Sequence, residues 1–188
     1  VHQFTQINAI LDPLCSFSKR HLLAKAGVEM ACWDLWGKAL KLPVHALLGG
    51  KLRDRLPITG GLTMDCVERM VDNAVRKVSE GYQELKIKVG LDEQKDLETV
   101  RKVRQAIPEA VKLRVDVNMA WKNAKRAKEL IDEMVQYGVC IVEQPLSDTR
   151  LADLAWLRSG TNALILIDEG IWDVQDAKRY LDQGAADM

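Results

Sequence analysis

The chain has 188 residues, and 27 Lys and Arg residues balance 27 Asp and Glu residues, so its formal net charge at pH 7 is zero. A chain without excess positive charge lacks the electrostatic footprint of a nucleic-acid-binding protein. The longest apolar run, at residues 163–167, is far shorter than the roughly 20 residues that a membrane-spanning helix needs. We therefore expect a globular protein that binds neither nucleic acid nor membrane.

Cysteine usage and the first residues favour a cytoplasmic location. The four cysteines lie far apart and form no C-x-x-C pair, so neither a disulfide framework nor a zinc cluster is predicted. The initial Val-His-Gln-Phe sequence lacks the basic and apolar segments of a signal peptide. The chain does not begin with Met, so we expect it to be processed or cut from a longer protein.

The first predicted element is a helix over residues 22–40. Its apolar stripe recurs every three or four positions and consists of Leu23, Ala26, Met30, Trp33 and Gly37. The pair Gly49 and Gly50 predicts a stop. The charged residues 51–55 are typical of a linker, and Pro57 opens a second segment.

After Pro57, strand-like and helix-like patterns alternate five times. Short apolar runs predict strands at residues 58–63, 85–89, 113–117, 139–142 and 164–167. Apolar residues at helical spacing predict helices at residues 67–78, 97–107, 127–135, 151–155 and 174–181. A sixth strand is predicted to start at Ala186. This alternation indicates a parallel sheet with right-handed crossovers.

Periodicity alone fits both a doubly wound sheet and an eight-stranded (β/α) barrel. Side-chain alternation favours the barrel, because Lys86 and Lys88 share one face of their strand while Leu85, Ile87 and Val89 share the other. A central strand covered by helices on both faces should be apolar on both. The lysines are therefore expected to point into the interior of a barrel.

Charged or polar residues close four consecutive strands and recur every 25 to 28 residues. They are Lys86 and Lys88, Asp116 and Asn118, Glu143, and Asp168 and Glu169. Because one βα unit separates each group from the next, we expect all four groups at the C-terminal rim of the sheet. Barrels and open α/β sheets both place their chemistry at that rim.

The residue types at this rim suit metal-assisted proton chemistry. Asp116, Glu143 and Asp168 would offer oxygen ligands to a hard cation such as Mg²⁺, and would repel one another without it. A lysine beside a divalent ion loses its proton more readily, because like charge disfavours the ammonium form. A neutral lysine is a usable base near pH 7, and a metal opposite it can stabilise the anion formed next to a carboxylate.

Each piece of this pattern also has an ordinary structural explanation. Lys-x-Lys alone is most often a solvated strand edge, and an Asp or Glu after a strand is most often the N-cap of the next helix. The common spacing and shared face of the whole set favour the rim site. His2, His21 and His45 all precede the βα repeat, so a histidine-ligated zinc barrel has no ligands here.

As an ordered set, these residues resemble the enolase superfamily, specifically the muconate lactonizing enzyme subgroup of the mandelate racemase/muconate lactonizing enzyme family. Lysine or histidine bases working with Mg²⁺ are a known feature of that superfamily. The matching stretches are residues 24–38 (AKAGVEMACWDLWGK), 42–50, 86–88 (KIK), 114–121 (RVDVNMAW), 141–145 (IVEQP) and 167–169 (IDE). Any one stretch is weak evidence, but the ordered set is specific.

The resemblance implies an α/β fold, a partial TIM-type (β/α) barrel preceded by the helical tail of an α+β capping domain. Residues 1–50 would be the C-terminal part of the capping domain. Residues 51–188 would be the N-terminal part of the barrel, with about five to six βα units. Because a barrel needs eight strands, we expect the isolated 188 residues to have little activity.

The resemblance also implies roles for five site residues. Asp116, Glu143 and Asp168 would bind Mg²⁺ or Mn²⁺. Lys88 would remove the proton α to the substrate carboxylate and give an enolate stabilised by the metal. Lys86 would help to set the pKa of Lys88 and would contact the carboxylate.

Asn118 and Glu169 match the family motif as well. They are expected to orient the ligands or to pair with lysine, with helix capping as the alternative. The implied partner is a small carboxylate substrate, and the full-length form is expected to be a homo-oligomer.

Within the subgroup, residues 114–121 most resemble the muconate-type cycloisomerases. N-acylamino acid racemases, dipeptide epimerases and o-succinylbenzoate synthases share the same catalytic set and remain alternatives. A hypothesis from another class is an inactive fragment or scaffold that keeps the fold without the chemistry.

Overall fold

The computed structural model describes residues 6–17 and 21–188. The chain divides into two compact units, the first ending at Leu56 and the second running from Pro57 to Met188. The first four residues, which we interpreted as unlike a signal peptide, lie outside the described residues. Among the helices of the described part of the chain, none combines the length and hydropathy that a bilayer crossing would need.

The first unit contains three helices, α1 (Ile7–Phe17), α2 (Leu22–Leu40) and α3 (Val44–Leu47). The prediction of α2 is confirmed, whereas α1 and α3 were not predicted. The apolar stripe of α2 does not match the buried side, because Leu23 is 85% exposed and Met30 is 65% exposed while Cys32 and Gly37 are buried. A Cβ at Gly37 would lie 2.8 Å from the carbonyl oxygen of Leu42, so the turn that follows α2 requires a glycine there.

The second unit contains the five predicted βα repeats. Its strands are β1 (Gly60–Leu62), β2 (Glu84–Lys88), β3 (Lys112–Asp116), β4 (Val139–Glu143) and β5 (Leu164–Leu166). Its helices are α4 (Val67–Ser79), α5 (Glu93–Ala106), α6 (Ala124–Val135), α7 (Leu151–Gly160) and α8 (Val174–Asp182). Both sets lie close to the predicted ranges, since Gly and Pro limit the elements from either side.

The strand order decides between the two candidate architectures. All neighbouring strands are parallel, and the order in the sheet is β1-β2-β3-β4-β5. In a doubly wound sheet, the order in which successive strands are added reverses at a switch point. In a barrel, each new strand is added on the same side of the last one. The unit therefore has the arrangement of a partial (β/α) barrel, as the resemblance implied.

The two faces of the sheet have opposite character. Leu85, Ile87, Leu113 and Val115 are completely buried beneath the helices, which pack in sequence with α4 on α5, α5 on α6 and α6 on α7. Burial of this apolar face is the main source of stability for such a sheet. The other face carries the charged residues, as the period of two predicted.

A sixth strand was predicted from Ala186 and is not assigned as a strand. The backbone nevertheless pairs there with the free edge of β5. The carbonyl of Ile165 accepts from the backbone N–H of Asp187 at 2.9 Å, and the N–H of Ile167 donates to the carbonyl of Met188 at 3.0 Å. Asp187 also accepts the N–H of Ile165 through its side chain at 2.9 Å. The chain thus enters the position of the next strand at the predicted residue.

Candidate active site

The predicted site residues of β2, β3 and β4 lie side by side because the strands pair in register. Lys88 is the register partner of Asp116, and Asp116 is the register partner of Glu143. Lys86 pairs with Arg114, two residues before the pair of Lys88 and Asp116 along both strands. All five residues are on the face opposite the helices, and Lys88, Asp116 and Glu143 are the last residues of their strands.

Lys86 lies between two buried carboxylates. Its Nζ is 3.0 Å from Oδ2 of Asp116, and it donates to Oε1 and Oε2 of Glu143 at 3.1 and 3.3 Å. Asp116 is 1% exposed and Glu143 is 4% exposed. Burial disfavours the charged form of Lys86, but the hydrogen bonds to the two carboxylates outweigh it and raise the pKa of this ammonium above its ordinary value. Lys86 is therefore a cation at neutral pH.

Lys88 has a different environment, although it is only two residues away. Its side chain is 40% exposed. Its Nζ donates to Oδ1 of Asn118 at 2.7 Å and lies 3.5 Å from Oδ2 of Asp116. Asn118 in turn donates from Nδ2 to Oε1 of Glu169 at 2.9 Å. This chain of contacts orients an amine that solvent and small molecules can still reach.

The ordinary explanations of these residues do not hold. Strand β2 lies between β1 and β3, so Lys86 and Lys88 are not on a sheet edge. The helices that follow the strands are capped by other side chains, namely Asp92 for α5, Asn123 for α6 and Asp173 for α8. The N-cap position of α7 is Arg150, which makes no capping side-chain bond. The acidic residues at the strand ends are thus free for another role.

The side chain of Asp168 has fewer contacts than those of the other candidate ligands. It follows β5 and is exposed, and its carboxylate makes no hydrogen bond or ion pair with any residue that the structure describes. Its backbone N–H donates to Oε1 of Gln144 at 3.0 Å. Within residues 6–17 and 21–188, no group of three or more His, Cys, Asp or Glu side chains is gathered as a metal site. The assignment of Asp116, Glu143 and Asp168 as ligands stays a prediction.

The chemistry of the donor set fits a hard divalent cation. Asp116, Glu143 and Asp168 offer only carboxylate oxygens, which Mg²⁺ prefers. Two of the carboxylates are almost fully buried, and Oε2 of Glu169 is a buried oxygen without a hydrogen-bond partner. Buried carboxylates need a nearby positive charge, and Lys86 supplies one such charge to the pair that it touches.

Two further residues contact the candidate site residues and were given no role by the sequence. Arg114 donates from its Nη2 to Oε1 of Glu84 at 2.6 Å, and its Nη1 lies 3.6 Å from Oε2 of Glu143. Its place on the same face as Asp116 was the available signal. Gln144 is completely buried and hydrogen-bonded to Asp168. No pattern in the sequence indicates that contact, because it joins two strands through a local backbone turn.

Three residues at the rim have positive φ angles, which residues other than glycine rarely adopt. Asn118 has φ 45°, Met119 has φ 63° and Gln144 has φ 41°. The N–H of Met119 donates to the carbonyl of Gln144 at 2.9 Å, so the two irregular segments are joined. Such conformations cost on the order of 1–3 kcal/mol each and concentrate at functional sites. Their position beside Asp116 and Glu143 supports a functional rim.

Gly170 holds the segment after β5 against α8. A Cβ at this position would overlap the hydroxyl and ring of Tyr180, which is completely buried and donates its hydroxyl to the carbonyl of Asp148 at 2.9 Å. We expect Gly170→Ala to lower the free energy of unfolding by about 2 kcal/mol, because either the ring or the segment must move. Chemical denaturation of both proteins measures the difference.

The matched control for this substitution is Gly61→Ala. A Cβ at Gly61 would meet no atom within 4 Å, and its backbone angle is an ordinary one. We expect a change within about 0.5 kcal/mol for this variant. Equal destabilisation by the two substitutions would contradict the proposed collision with Tyr180.

Comparison with known families supports the resemblance inferred from the motifs. Residues 69–188 match the family described as Enolase C-terminal domain-like. Residues 2–49 match the family described as Mandelate racemase / muconate lactonizing enzyme, N-terminal domain. The two matches occur in the same order as the two units of the chain.

Individual relatives give the same result. The chain is 36% identical over 184 residues to a hydrophobic dipeptide epimerase of Enterococcus faecalis, covering 97% of this chain and 50% of the relative. It is 35% identical over 167 residues to a chloromuconate cycloisomerase of Cupriavidus pinatubonensis, covering 88% of this chain and 45% of the relative. The chain thus spans about half the length of these relatives.

A solved structure with the same fold is the dipeptide epimerase from Enterococcus faecalis V583 complexed with Mg and the dipeptide L-Leu-L-Tyr. The TM-score is 0.91 at 34% identity, covering 98% of this chain and 52% of that one. The fold, the ordered motifs and the two family matches all agree. The chain belongs to the mandelate racemase/muconate lactonizing enzyme group of the enolase superfamily.

Proposed function

We propose that this chain supplies the base and the metal-binding carboxylates of an Mg²⁺-dependent enzyme that removes the proton α to a substrate carboxylate. The observation that carries the proposal is the register of β2, β3 and β4. It places an exposed lysine amine next to Asp116, whose register partner is Glu143, and both of these carboxylates are buried. Family membership supports this assignment of chemistry.

Asp116, Glu143 and Asp168 are the residues that would hold Mg²⁺ or Mn²⁺. The ion would supply positive charge that stabilises the anion formed on proton removal. Glu169 would contribute indirectly, since it fixes the Asn118 amide beside Lys88 through the hydrogen bond to Nδ2.

Lys88 is the proposed base. Its amine is exposed at the rim and is oriented by Asn118, so a substrate can approach it without any rearrangement of the strand. Lys86 is a poorer candidate for this task, because its amine lies between the Asp116 and Glu143 carboxylates at 3.0 and 3.1 Å and its side chain is less exposed than that of Lys88. We assign Lys86 to holding a negatively charged substrate group and to balancing the buried carboxylates.

The substrate class that follows is a small carboxylate. The sequence of residues 114–121 favours a muconate-type cycloisomerase, in line with the 35% identity to a chloromuconate cycloisomerase. A second candidate is the epimerisation or racemisation of a dipeptide or an N-acylamino acid. It is favoured by the 36% identity to the hydrophobic dipeptide epimerase and by the similarity to its complex with Mg and L-Leu-L-Tyr.

We further propose that residues 1–50 are the end of a capping domain and that residues 51–188 are the first part of the barrel. The family matches at residues 2–49 and 69–188 support this division. In such an arrangement the barrel carries the reacting groups, so the two substrate hypotheses share one catalytic set.

Magnesium binding and hydrogen exchange test the proposed function on the 188-residue chain. We expect saturable heat on calorimetric titration with Mg²⁺, and at least tenfold weaker binding by Asp116→Asn, because the amide removes a charged ligand. In D₂O with Mg²⁺, NMR should show deuterium replacing the hydrogen next to the free carboxylate. In L-Leu-L-Tyr this is the α-hydrogen of the tyrosine residue, and in muconolactone it is a hydrogen on the carbon that bears the carboxylate. Exchange needs only one base, so it reports on Lys88 even where complete turnover is slow.

The matched control is Asp132→Asn, which removes a carboxylate on the exposed side of α6. Its Mg²⁺ titration should match that of the unsubstituted chain. Absence of both Mg²⁺ binding and exchange would instead favour the scaffold hypothesis. Exchange with only one of the two compounds decides between the substrate classes.

A further inference from the structure

Gln144 connects the ends of two strands through its side chain. It follows Glu143 directly and is completely buried. Its Oε1 accepts the backbone N–H of Asp168 at 3.0 Å, and its Nε2 donates to the carbonyl of Leu146 at 3.0 Å. One amide group therefore holds the start of the segment after β5 and the turn after β4.

The backbone of Gln144 makes two further connections. Its N–H donates to the carbonyl of Leu166 in β5 at 2.8 Å, and its carbonyl accepts the N–H of Met119 at 2.9 Å. Gln144 thus contacts the segments that follow β3 and β5 as well as its own strand. Its φ of 41° is unfavourable for a side chain that is not glycine. Four hydrogen bonds in a buried place explain how this conformation persists.

We propose that Gln144 is a positioning residue that holds the backbone of Asp168 at a fixed distance from Glu143. The proposal rests on the proposed function, in which both carboxylates serve one site. The carboxylate of Asp168 has no partner of its own among the described residues, so its location depends on its backbone. The Gln144 side chain is the group that fixes that backbone N–H.

The residue type follows from the two contacts. The site needs an acceptor for Asp168 and a donor for Leu146 on one flat group, and an amide supplies both. A methionine of similar length would fill the space and supply neither. A glutamate would keep an acceptor for Asp168, but as a carboxylate it would lack the donor to Leu146 and would place a charge in a buried position.

Exchange of the Asp168 amide hydrogen tests the proposal in the 188-residue chain. In Gln144→Met, we expect this amide to exchange about tenfold faster in a ¹⁵N NMR experiment, since its buried acceptor is lost. In Gln144→Glu, the remaining acceptor should keep the protection of the Asp168 amide near its original value. In the unsubstituted chain the Asp168 amide should itself be protected although the residue is exposed, so an unprotected amide there overturns the proposal even where the methionine variant does not fold.

Calorimetry with Mg²⁺ alone provides the second readout. We expect about tenfold weaker Mg²⁺ binding by folded Gln144→Met, because Asp168 is no longer held near Glu143. The control is Leu154→Ala, which removes a completely buried side chain of α7 that makes no polar contact at the rim. It should lose stability yet keep both the Mg²⁺ affinity and the protection of the Asp168 amide relative to the other rim amides.

Two further results would overturn the proposal. One is unchanged exchange at Asp168 in Gln144→Met, and the other is an equal loss of Mg²⁺ affinity in Leu154→Ala. If the unsubstituted chain binds no Mg²⁺, the metal part of the proposed function fails. The exchange of the Asp168 amide then still decides whether Gln144 holds that backbone.

Discussion

Replacing Lys86 with methionine is expected to lower the free energy of unfolding by about 3 kcal/mol in metal-free buffer. The substitution removes the cation between Asp116 and Glu143, whose side chains are 2% and 5% exposed. Removing one partner from a buried ion pair is costly because the remaining charge is left without compensation. Lys88 and Arg114, at 3.5 and 3.6 Å from these carboxylates, compensate in part. Urea denaturation measures the loss.

The stability of the same variant should depend more strongly on Mg²⁺ than the stability of the unsubstituted chain does. If the two carboxylates bind the ion, added Mg²⁺ supplies the missing charge and restores part of the lost stability, since a ligand that binds only the folded state stabilises it. Lys128→Met is the matched control. Lys128 is 30% exposed, close to the 28% of Lys86, but its partner Asp132 is 48% exposed.

We expect Lys128→Met to cost less than about 1 kcal/mol and to show no recovery with Mg²⁺, because exposed ion pairs contribute little. The burial of the partner carboxylates therefore separates the two lysines, although the exposure of the lysines themselves is similar. A loss for Lys86→Met no larger than that for Lys128→Met would contradict the view that Lys86 balances a buried charge.

The loss of stability in Lys86→Met is expected to depend on pH through the charge of Lys86. The pKa of Lys86 is raised in the folded state above its ordinary value of 10.5, mainly by hydrogen bonds to two carboxylates that outweigh the effect of burial. Its contribution to stability is therefore fully present below pH 10.5 and is lost as the pH rises through the folded-state pKa. Above neutral pH, the stability difference between the unsubstituted chain and Lys86→Met should therefore shrink only in that alkaline range.

The sequence was sufficient for the features of the site that depend on periodicity. A period of two placed Lys86, Lys88 and Asp116 on one face, and the repeat length placed them at one rim. Parallel pairing in register then brought Lys88, Asp116 and Glu143 next to one another. These features follow from local geometry, so they can be inferred without knowing the packing.

Features that depend on tertiary contacts could not be predicted in the same way. The role proposed for Gln144 depends on a turn with positive φ and on a hydrogen bond to the segment that follows the neighbouring strand. Helix α1 contains Pro13, a residue that ordinarily argues against a helix interior, and it was not predicted. The stripe of α2 identified a helix but not its buried side, since Leu23 and Met30 remain exposed.

Lys88→Ala is expected to reduce α-hydrogen exchange at least a hundredfold while leaving the fold intact. A general base typically contributes a factor of about 10² to 10⁴. The side chain is 40% exposed, and its contacts with Asn118 and Asp116 are partly open to solvent, so we expect the stability to change by about 1 kcal/mol or less. NMR in D₂O and urea denaturation measure the two quantities.

A small amine distinguishes a lost base from a disturbed site. Added methylamine should restore part of the exchange in Lys88→Ala, because it can occupy the vacated space and accept the proton. Lys88→Arg should stay inactive, since guanidinium keeps its proton at all relevant pH values. Lys112→Met is the matched control, because Lys112 lies on the same face as Asp116 but at the opposite end of β3. Equal loss of exchange in Lys112→Met, or exchange retained in Lys88→Arg, would show that the amine of Lys88 is not the base.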